Sequence, residues 1–363
     1  MKKRLRFFIT TLNTGGAERV LMNLLAWLDP EKYEVSLLTV RGGDNEGLIP
    51  PHVKYRSLLK DGKLSGLLQR LLLKLPAKVF ASMFLKGDHD YEIAYLEGKP
   101  TEYVLAKKTD AKKIAFIHYD LSVKSVDLPM YRDAESCLAV YRRFDDVCFV
   151  SNDALQGFEK TFGSLENGRV VHNVINSAAI LNGAAQPADR EYETNGLKLV
   201  AVGRLVYQKN FEMLISVVSE LSREYDLELW IIGDGEKRRV LAELIETNGL
   251  NNVHLLGNLD NPFPYVKKAD LFVCSSRFEG YSTAVLESII LGIPVLTTDC
   301  AGMYELLEDG KYGEIVDNSP ESLKDGLRKF AQDQKTLEPY RKNLSGFSVD
   351  NLPFAQEYRE LFS

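Results

Sequence analysis

The feature that most restricts the fold of this chain is a regular alternation of short apolar, β-rich runs with helical patterns. The runs that predict strands are "LRFFIT", "YEVSLLTV", "YEIAYLEG", "KKIAFIH", "DVCFVS", "LKLVAVG", "LELWIIG", "NVHLLG", "ADLFVC" and "IPVLTT". Helical segments such as "AERVLMNLLAWL" separate them. Strands this apolar are typical of parallel sheets whose two faces are both covered by helices. The pattern therefore predicts an α/β protein with doubly wound parallel sheets.

Chain length and one break in the pattern predict two domains. A chain of 363 residues is too long for one ordinary core. The alternation stops at residues 177–196, a small, polar segment with Pro and Gly, and a new strand starts directly after it. We therefore expect a Rossmann-like domain over residues 1–176, a linker over 177–196 and a second Rossmann-like domain over 197–348. Helical spacing of aromatic residues predicts a last helix within 349–363.

Composition argues against several classes of protein. A hydrophobic content of 45% with 26% charged residues is typical of a soluble globular protein. The net charge of -6 argues against nucleic-acid binding, because phosphates would be repelled. The four cysteines lack metal-ligand spacing, so we expect reduced thiols, no bound metal and a cytoplasmic location. The start, "MKKRLRFFITTL", has too short an apolar run for a signal peptide, and we interpret it as a strand.

Three features of the first half carry candidate ligand chemistry. Gly15 and Gly16 lie between a strand and a helix, where paired glycines either form a tight turn or let an anion approach the helix N-terminus. His118 ends an apolar strand, and it is either a core residue or a ligand contact. The segment Asp88–Asp90 resembles a metal-binding Asp-x-Asp pair, but it precedes a strand, so we interpret it as a solvated turn.

Two cations follow the first strand of the second half. Arg204 and Lys209 lie in "VGRLVYQKN", and two converging positive charges at a strand end suit a diphosphate. Farther along, Asp234 in "WIIGDGEKR" is predicted to cap a helix rather than to bind a ligand. The strand-end position makes the pair of cations the stronger functional candidate.

Glu279 and Glu287 stand on either side of a turn in "RFEGYSTAVLES". On one continuous helix they would be separated by about 12 Å, beyond the roughly 5–10 Å of glycosidase carboxylate pairs. A turn before the helix allows another geometry, in which an anion at the helix start has a carboxylate on each side. The amide groups facing that anion would be those of Tyr281, Ser282 and Thr283. A phosphate between a sugar and a ribose fits this arrangement, which predicts a nucleotide-sugar donor.

Together these motifs resemble the family 4 retaining glycosyltransferases of bacterial surface-polysaccharide or lipid-linked oligosaccharide synthesis. The resemblance rests on the Gly-Gly loop, the Gly-Arg-Leu…Lys segment, the Gly-Asp-Gly turn and Glu-x7-Glu, in the family's order along nearly the whole chain. It implies the GT-B fold, with two Rossmann-like domains facing across a cleft and a C-terminal helix crossing back to the first domain. The first domain would bind the acceptor and the second the donor.

The resemblance also assigns roles in the second half. Arg204 and Lys209 would bind the donor diphosphate and stabilise its departure. Glu279 would bind the donor sugar, and Glu287 the ribose. The backbone around Asn258 and Leu259 would read the base.

In the first half, Gly15 and Gly16 would approach the phosphates and His118 would contact the donor sugar. Transfer would retain the anomeric configuration by attack on the face from which the phosphate departs. No metal or other cofactor is expected, and the donor is expected to be a UDP-sugar carrying a hexose or N-acetylhexosamine.

Residues 61–87 suggest how the acceptor is reached. This stretch contains five basic residues and one acidic residue, Asp61. Leucines and other apolar residues recur in it at helical spacing. Such a segment either lies on anionic lipid or packs on its own domain, with Pro76 interrupting it. The family's use of lipid-linked or oligosaccharide acceptors favours a peripheral, cytoplasmic-faced protein.

Two other functions of the whole protein are alternatives to a glycosyltransferase. They are a nucleotide-sugar epimerase and a non-catalytic nucleotide-sugar-binding protein of the same fold.

Overall fold

The chain forms two compact units in its computed structural model. The structure describes residues 1–13, 15–60, 62, 64–124, 131 and 133–363. One unit comprises Met1–Ile175 with Pro353–Ser363, and the other comprises Asn176–Leu352. Asp61 and Lys63 of the basic stretch lie outside the described residues. Across the described part of the chain, the structure has no helix that is both long and apolar enough to span a membrane.

A parallel sheet of seven strands forms the centre of the first unit, in the order β3-β2-β1-β4-β5-β6-β7. The strands are β1 (Lys3–Ile9), β2 (Tyr33–Arg41), β3 (Lys54–Leu59), β4 (Tyr91–Ala94), β5 (Lys112–Ile117), β6 (Asp146–Phe149) and β7 (Gly168–Val170). The helices are α1 (Gly16–Trp27), α2 (Ser65–Leu72), α3 (Ala77–Phe84), α4 (Lys99–Ala106), α5 (Leu121–Lys124), α6 (Ala134–Tyr141) and α7 (Asn152–Phe162). A short 3-10 helix covers Asp44–Leu48.

The second unit repeats this plan with six parallel strands, in the order β10-β9-β8-β11-β12-β13. The strands are β8 (Leu197–Val202), β9 (Leu227–Ile232), β10 (Val253–Gly257), β11 (Leu271–Cys274), β12 (Val295–Thr298) and β13 (Gly313–Val316). The helices are α8 (Ser177–Ala184), α9 (Phe211–Leu221), α10 (Arg238–Thr247), α11 (Phe263–Lys267), α12 (Thr283–Ile290), α13 (Met303–Leu306), α14 (Pro320–Gln332) and α15 (Glu338–Leu344). Tyr207–Lys209, Gln334–Leu337 and Val349–Asn351 are 3-10 turns.

The last helix, α16 (Phe354–Leu361), belongs to the first unit. Tyr358 is fully buried there and packs on Trp27 with ring centroids 6.0 Å apart. Glu357 accepts a hydrogen bond from the backbone N–H of His172, at 2.8 Å. These contacts confirm the predicted return of the C-terminal helix to the first domain.

The predicted parallel α/β architecture is confirmed, but three strands escaped the sequence pattern. They are β3, β7 and β13, and each lies at an edge of its sheet. Edge strands are covered on fewer sides, and most of their residues are only half-buried. They therefore lack the continuous apolar run by which the central strands were recognised.

Residues 177–196, predicted as a linker between the two domains, pack within the second unit. Their first part forms α8, and Tyr192 stacks on the buried Trp230 with ring centroids 3.7 Å apart. The backbone N–H of Glu193 donates to Glu228, 2.6 Å away. The segment is therefore part of the second unit, whose boundary lies between Ile175 and Asn176. A composition of small and polar residues does not distinguish a linker from a segment that packs through one or two aromatic contacts.

Candidate active site

The strand order of the second unit creates a ligand-binding position between β8 and β11. Chain connections run in opposite directions from these two neighbouring strands, which is the arrangement at which doubly wound sheets bind ligands beyond the strand ends. Residues 203–210 follow β8 and residues 275–282 follow β11. The two motifs singled out from the sequence therefore meet at one place.

An ion pair between Lys209 and Glu279 occupies this position. Lys209 Nζ lies 2.6 Å from Glu279 Oε1, and the two side chains are 18% and 8% exposed. Ser276 Oγ donates to the same carboxylate oxygen at 2.6 Å. Gln208 Nε2 lies 3.4 Å from the other oxygen, Oε2. Glu279 is thus held in one orientation by donors from both loops.

The electrostatics of the pair keep Lys209 charged. Burial has the largest single effect and acts to lower the pKa of Lys209, but the attraction of Glu279, the nearby Cys274 and the hydrogen bond to Glu279 together raise that pKa above its ordinary value. Arg204 acts in the opposite direction, because a second positive charge nearby disfavours the ammonium. The structure therefore brings both predicted cations into one electrostatic environment.

Arg204 differs from Lys209 in having no side-chain partner among the described residues. The residue is exposed, and its side chain makes no hydrogen bond or ion pair with the described part of the chain. A buried or paired arginine would be accounted for by the fold itself. An exposed, unpaired guanidinium at a ligand-binding strand end is instead available to an anion.

The loops after β8 and β11 are tied to each other by hydrogen bonds. The Arg277 backbone N–H donates to Gln208 O at 2.8 Å, and Ser275 Oγ donates to Lys209 O at 2.9 Å. The Arg277 guanidinium donates to Asn210 Oδ1 at 2.7 Å. These bonds fix the backbone on both sides of the ion pair, so its geometry does not depend on the two charged side chains alone.

A further set of polar side chains holds the carbonyl of Ser276. Thr298 Oγ1 donates to it at 2.6 Å, Cys300 Sγ at 3.0 Å and Asn318 Nδ2 at 3.1 Å. These three residues follow or end β12 and β13. Sequence reasoning missed them together with Gln208 and Ser276, although all of them stand at or near strand ends. They support Glu279 through the loop to which it belongs.

Gly233 allows two loops at this edge to come close together. A Cβ placed on Gly233 would lie 2.0 Å from Gly203 O, and the φ angle of Gly233 is +139°. Only glycine fits both conditions.

The prediction that Asp234 caps a helix is wrong. The helix α10 begins at Arg238 after Lys237, and Asp234 Oδ1 instead accepts the N–H of Gly235 at 2.7 Å.

The start of α12 lies beside the ion pair. Ser282 precedes the first helical residue, Thr283, and makes no side-chain capping bond. Tyr281 and Ser282 are both buried. A cavity of about 10 Å³, enough for a single water, is lined by Lys209, Ser276 and Ser282 among others. Glu287 is half-buried on the second turn of α12.

The predicted base-reading residues lie farther along the same edge. Asn258 and Leu259 follow β10, which is separated from β8 by β9. Asn258 is exposed and Leu259 is half-buried. Apart from Glu287, which lies on the second turn of α12, the predicted site residues of the second unit therefore follow the carboxyl ends of its strands or begin the helix after them.

In the first unit, His118 follows β5 and is half-buried. Burial lowers the pKa of His118 to about 4, although a hydrogen bond with the Tyr95 backbone acts in the opposite direction. Nε2 is buried and has no hydrogen-bond partner within the described structure. The His118 backbone N–H donates to Glu97. His118 is thus a neutral imidazole with one unused nitrogen at a strand end.

The Gly-Gly loop and the aspartate turn have simple local structures. Gly15 precedes α1, and a Cβ there would lie 2.1 Å from Glu18 Oε2, whereas a Cβ on Gly16 would meet nothing within 4 Å. Asp90 accepts hydrogen bonds from Arg4, which agrees with a structural turn. Within the described part of the chain, no group of three or more His, Cys, Asp or Glu side chains could hold a metal ion.

Two doubly wound parallel units, with the last helix returning to the first, define a protein of the GT-B fold. HepE from Anabaena, in a crystal structure with UDP and glucose, shares it at a TM-score of 0.74, with 19% identity and 99% of each chain covered. WaaG, a glycosyltransferase involved in lipopolysaccharide biosynthesis, shares it at a TM-score of 0.70, with 16% identity, 99% of this chain and 98% of that chain covered.

Sequence comparison relates part of the chain to one family of glycosyltransferases. Residues 184–345 match the family described as glycosyl transferases group 1. It is 27% identical over 93% of both chains to the N-acetylgalactosamine-N,N'-diacetylbacillosaminyl-diphospho-undecaprenol 4-alpha-N-acetylgalactosaminyltransferase of Campylobacter jejuni. The predicted family resemblance is thereby confirmed at the level of bacterial glycosyltransferases.

Proposed function

We propose that this protein is a retaining glycosyltransferase that moves a hexose or N-acetylhexosamine from a UDP-sugar. One observation carries the proposal: the Lys209–Glu279 ion pair lies between the ends of β8 and β11 in the second unit, and Arg204, which is exposed and has no side-chain partner among the described residues, lies nearby. A diphosphate needs positive charge and a sugar needs a fixed hydrogen-bond acceptor. This edge of the sheet offers both within one hydrogen-bonded set of residues.

The proposed reaction exchanges one bond at the anomeric carbon. The bond from that carbon to the diphosphate oxygen breaks, and a bond to the acceptor hydroxyl forms on the same face. The acceptor proton passes to an oxygen of the departing diphosphate, so the reaction needs no external base. Arg204 and Lys209 stabilise the charge on the leaving group, where the loss of one such contact typically costs about 100- to 1,000-fold in kcat. They supply this charge without a metal ion in the proposal.

Glu279 has the role of a sugar contact in this proposal. Its carboxylate already accepts bonds from Lys209 and Ser276, and each carboxylate oxygen has more than one lone pair. A sugar hydroxyl can therefore bind without release of the existing donors. When the diphosphate enters, Lys209 remains charged and can contact it, since an ammonium has three N–H donors.

The remaining donor contacts follow from position along the edge. The amides of Tyr281, Ser282 and Thr283 are assigned to phosphate oxygens, because they lie at the start of α12 and the N-terminus of a helix favours an anion. Glu287 is assigned to the ribose. The backbone around Asn258 and Leu259 is assigned to the base.

Three residues of the first unit complete the assignment. Nε2 of the neutral His118 is suited to accept a hydrogen bond from a sugar hydroxyl. Gly15 and Gly16 offer a backbone surface to phosphate oxygens.

The acceptor is proposed to be lipid-linked or an oligosaccharide. The Campylobacter relative is named for transfer to a diphospho-undecaprenol-linked sugar and for an α-linkage. Transfer from an α-linked nucleotide sugar to an α-linked product retains the configuration, which supports the retaining assignment. A lipid-linked acceptor further implies that the protein works as a peripheral protein at the cytoplasmic face of a membrane.

The proposal is tested by nucleotide release from UDP- and GDP-sugars, with and without a bacterial lipid extract. Wild type, Glu279→Ala and Arg204→Ala are compared, with Glu314→Gln as a control because Glu314 pairs with Lys329 on the surface of the same unit. We expect release from one UDP-sugar, stimulated by lipid, unchanged in the control and lost in both site variants. Binding of a nucleotide without any release, in the presence of lipid, would favour a non-catalytic binding protein.

A further inference from the structure

The segment of α2 and α3 exposes an unusual amount of apolar surface. Of the twelve large hydrophobic residues that are exposed in the described part of the chain, six lie between positions 64 and 83, with relative exposures between 42% and 66%. They are Leu64, Leu67, Leu68, Leu71, Val79 and Met83. Single exposed leucines are normal on protein surfaces, but a contiguous group is not.

The leucines of α2 form one face of a helix. Leu64, Leu67, Leu68 and Leu71 follow the spacing i, i+3, i+4, i+7, which places them in one stripe. Other residues of the same helices attach them to the first unit. Phe80 of α3 is fully buried and stacks on Tyr103 with ring centroids 3.9 Å apart. The stripe is thus a second apolar face, additional to the one that packs on the core.

Positive charge without counter-ions lies beside the stripe. Arg70, Lys74 and Lys78 are exposed and form no ion pair or hydrogen bond through their side chains with the described residues. Residues 64–87 contain four basic side chains and no acidic one, in a chain whose net charge is -6. Charge of one sign is therefore concentrated where the leucines are exposed.

The segment that follows α3 is fixed to the sheet. Lys86 O and Leu85 O accept hydrogen bonds from the Arg6 guanidinium at 2.5 and 3.0 Å. Arg6 is itself paired with the buried Glu92 at 2.7 Å. The C-terminal end of α3 is consequently fixed to the first unit.

We propose that the exposed face of α2 and α3 inserts into the surface of an anionic lipid bilayer. This deepens the proposed function, on which it rests, by naming the surface that meets the membrane. Leucines at the level of the headgroups with lysines and arginines around them match the chemistry of interfacial helices. A protein partner fits less well, because the cores of protein interfaces are depleted in lysine.

The test is flotation of the full-length protein with vesicles, without donor or acceptor. The vesicles consist of phosphatidylcholine alone or of phosphatidylcholine mixed with phosphatidylglycerol. One variant combines Leu67→Ser, Leu68→Ser and Leu71→Ser, and a second combines Arg70→Gln, Lys74→Gln and Lys78→Gln. The matched controls, on exposed residues of the second unit, are Leu181→Ser with Val240→Ser and Lys335→Gln with Lys342→Gln.

We expect the wild type to float with anionic vesicles and much less with neutral ones. Each charge removed should weaken binding about fivefold, so that the charge variant loses about 100-fold. Each leucine replaced should cost about tenfold or more. The controls should bind like the wild type. Equal flotation of all variants, or no flotation of the wild type, would overturn the proposal.

Two further readouts separate the alternatives. If light scattering shows a wild-type dimer that the leucine variant dissociates, and no vesicle binding, the face is an interface between copies and the proposal is overturned. Nucleotide release measured without lipid should be unchanged in the leucine and charge variants. Vesicle binding without any nucleotide release by the wild type, even with lipid extract, would leave this surface standing and contradict the proposed enzyme function instead.

Discussion

Replacement of Glu279 by Gln tests the central ion pair, because it removes one charge and keeps the size of the side chain. Lys209 would then be an ammonium, 18% exposed, without a counter-ion. Breaking a buried pair by removing one partner costs about 3–5 kcal/mol. The remaining exposure of Lys209 and the bond from Ser276 place this variant at the lower end, so we expect a loss of about 3 kcal/mol in the free energy of unfolding.

Thermal unfolding measures this loss directly. For a unit of this size, 3 kcal/mol corresponds to a decrease in Tm of about 6–12 °C. Glu314→Gln is the control, since Glu314 and Lys329 are equally close, at 2.6 Å, but 26% and 47% exposed. A surface pair of this kind contributes about 0–1 kcal/mol, so its Tm should change by no more than about 4 °C.

The pH dependence of the stability provides a second, independent test of the ion pair. In the wild type the pKa of Lys209 is raised, so the stability due to the pair is present at neutral pH and is lost only as the pH rises through that pKa. In Glu279→Gln, burial and Arg204 should lower the pKa of Lys209, so the variant should regain stability as its ammonium loses the proton. The difference in Tm between the two proteins should therefore narrow at alkaline pH.

Two results would refute this reasoning. One is a loss of stability in Glu279→Gln no larger than in Glu314→Gln. The other is a difference in Tm that widens, or stays constant, as the pH rises. A double variant with Lys209→Met serves as a check, because the two single losses should not add if the residues interact.

Four further predictions concern other residues. Arg204→Ala should lower kcat/KM at least about 100-fold in the nucleotide-release assay and leave the Tm unchanged, because Arg204 is exposed and unpaired; a lower Tm would contradict this. In the wild type, the free energy of unfolding measured with denaturant should decrease by about 1 kcal/mol per pH unit as the pH falls from 6.5 toward about 4, since the unfolded state binds the proton first. His118→Gln should abolish this decrease. Asn318→Ala should lower kcat about tenfold or more with little change in KM, because small displacements of a catalytic loop are costly; an effect on KM alone would speak against a positioning role. Gly233→Ala should unfold or strongly destabilise the protein, as judged by its Tm, whereas Gly249→Ala, also at positive φ but with open space around it, should lose only about 1 kcal/mol.

The central strands and the site motifs were accessible from sequence because they have local signatures. A strand covered on both faces is apolar along most of its length, as β9 shows: all six residues are buried, and five of them are apolar. A loop at the end of such a strand is recognised by the polar residues that follow at once. The edge strands β3, β7 and β13 have no such run, and they were found only in the structure.

The residues that support the loop of Glu279 are harder to recognise from the sequence. Ser276 and Asn318 are 42 positions apart, and nothing in their immediate sequence relates them. Their hydrogen bond exists because β11 and β13, which lie on either side of β12, end at the same edge of the sheet. The segment of α2 and α3 shows the same limit. Its composition is visible in the sequence, but the sequence does not distinguish the apolar face that packs on the core from the apolar face that remains exposed.

Local sequence patterns establish the class of fold, the order of the motifs and the residue types that supply charge at the strand ends, because each of these depends on a few neighbouring positions. The pairing of the charges is visible only in the folded protein. There Lys209 packs against Glu279, Arg204 has no side-chain partner among the described residues, and residues 177–196 belong to the second unit. Pairing and burial depend on residues that are distant in the chain and meet only after the sheets have formed, and for this reason they cannot be read from local pattern.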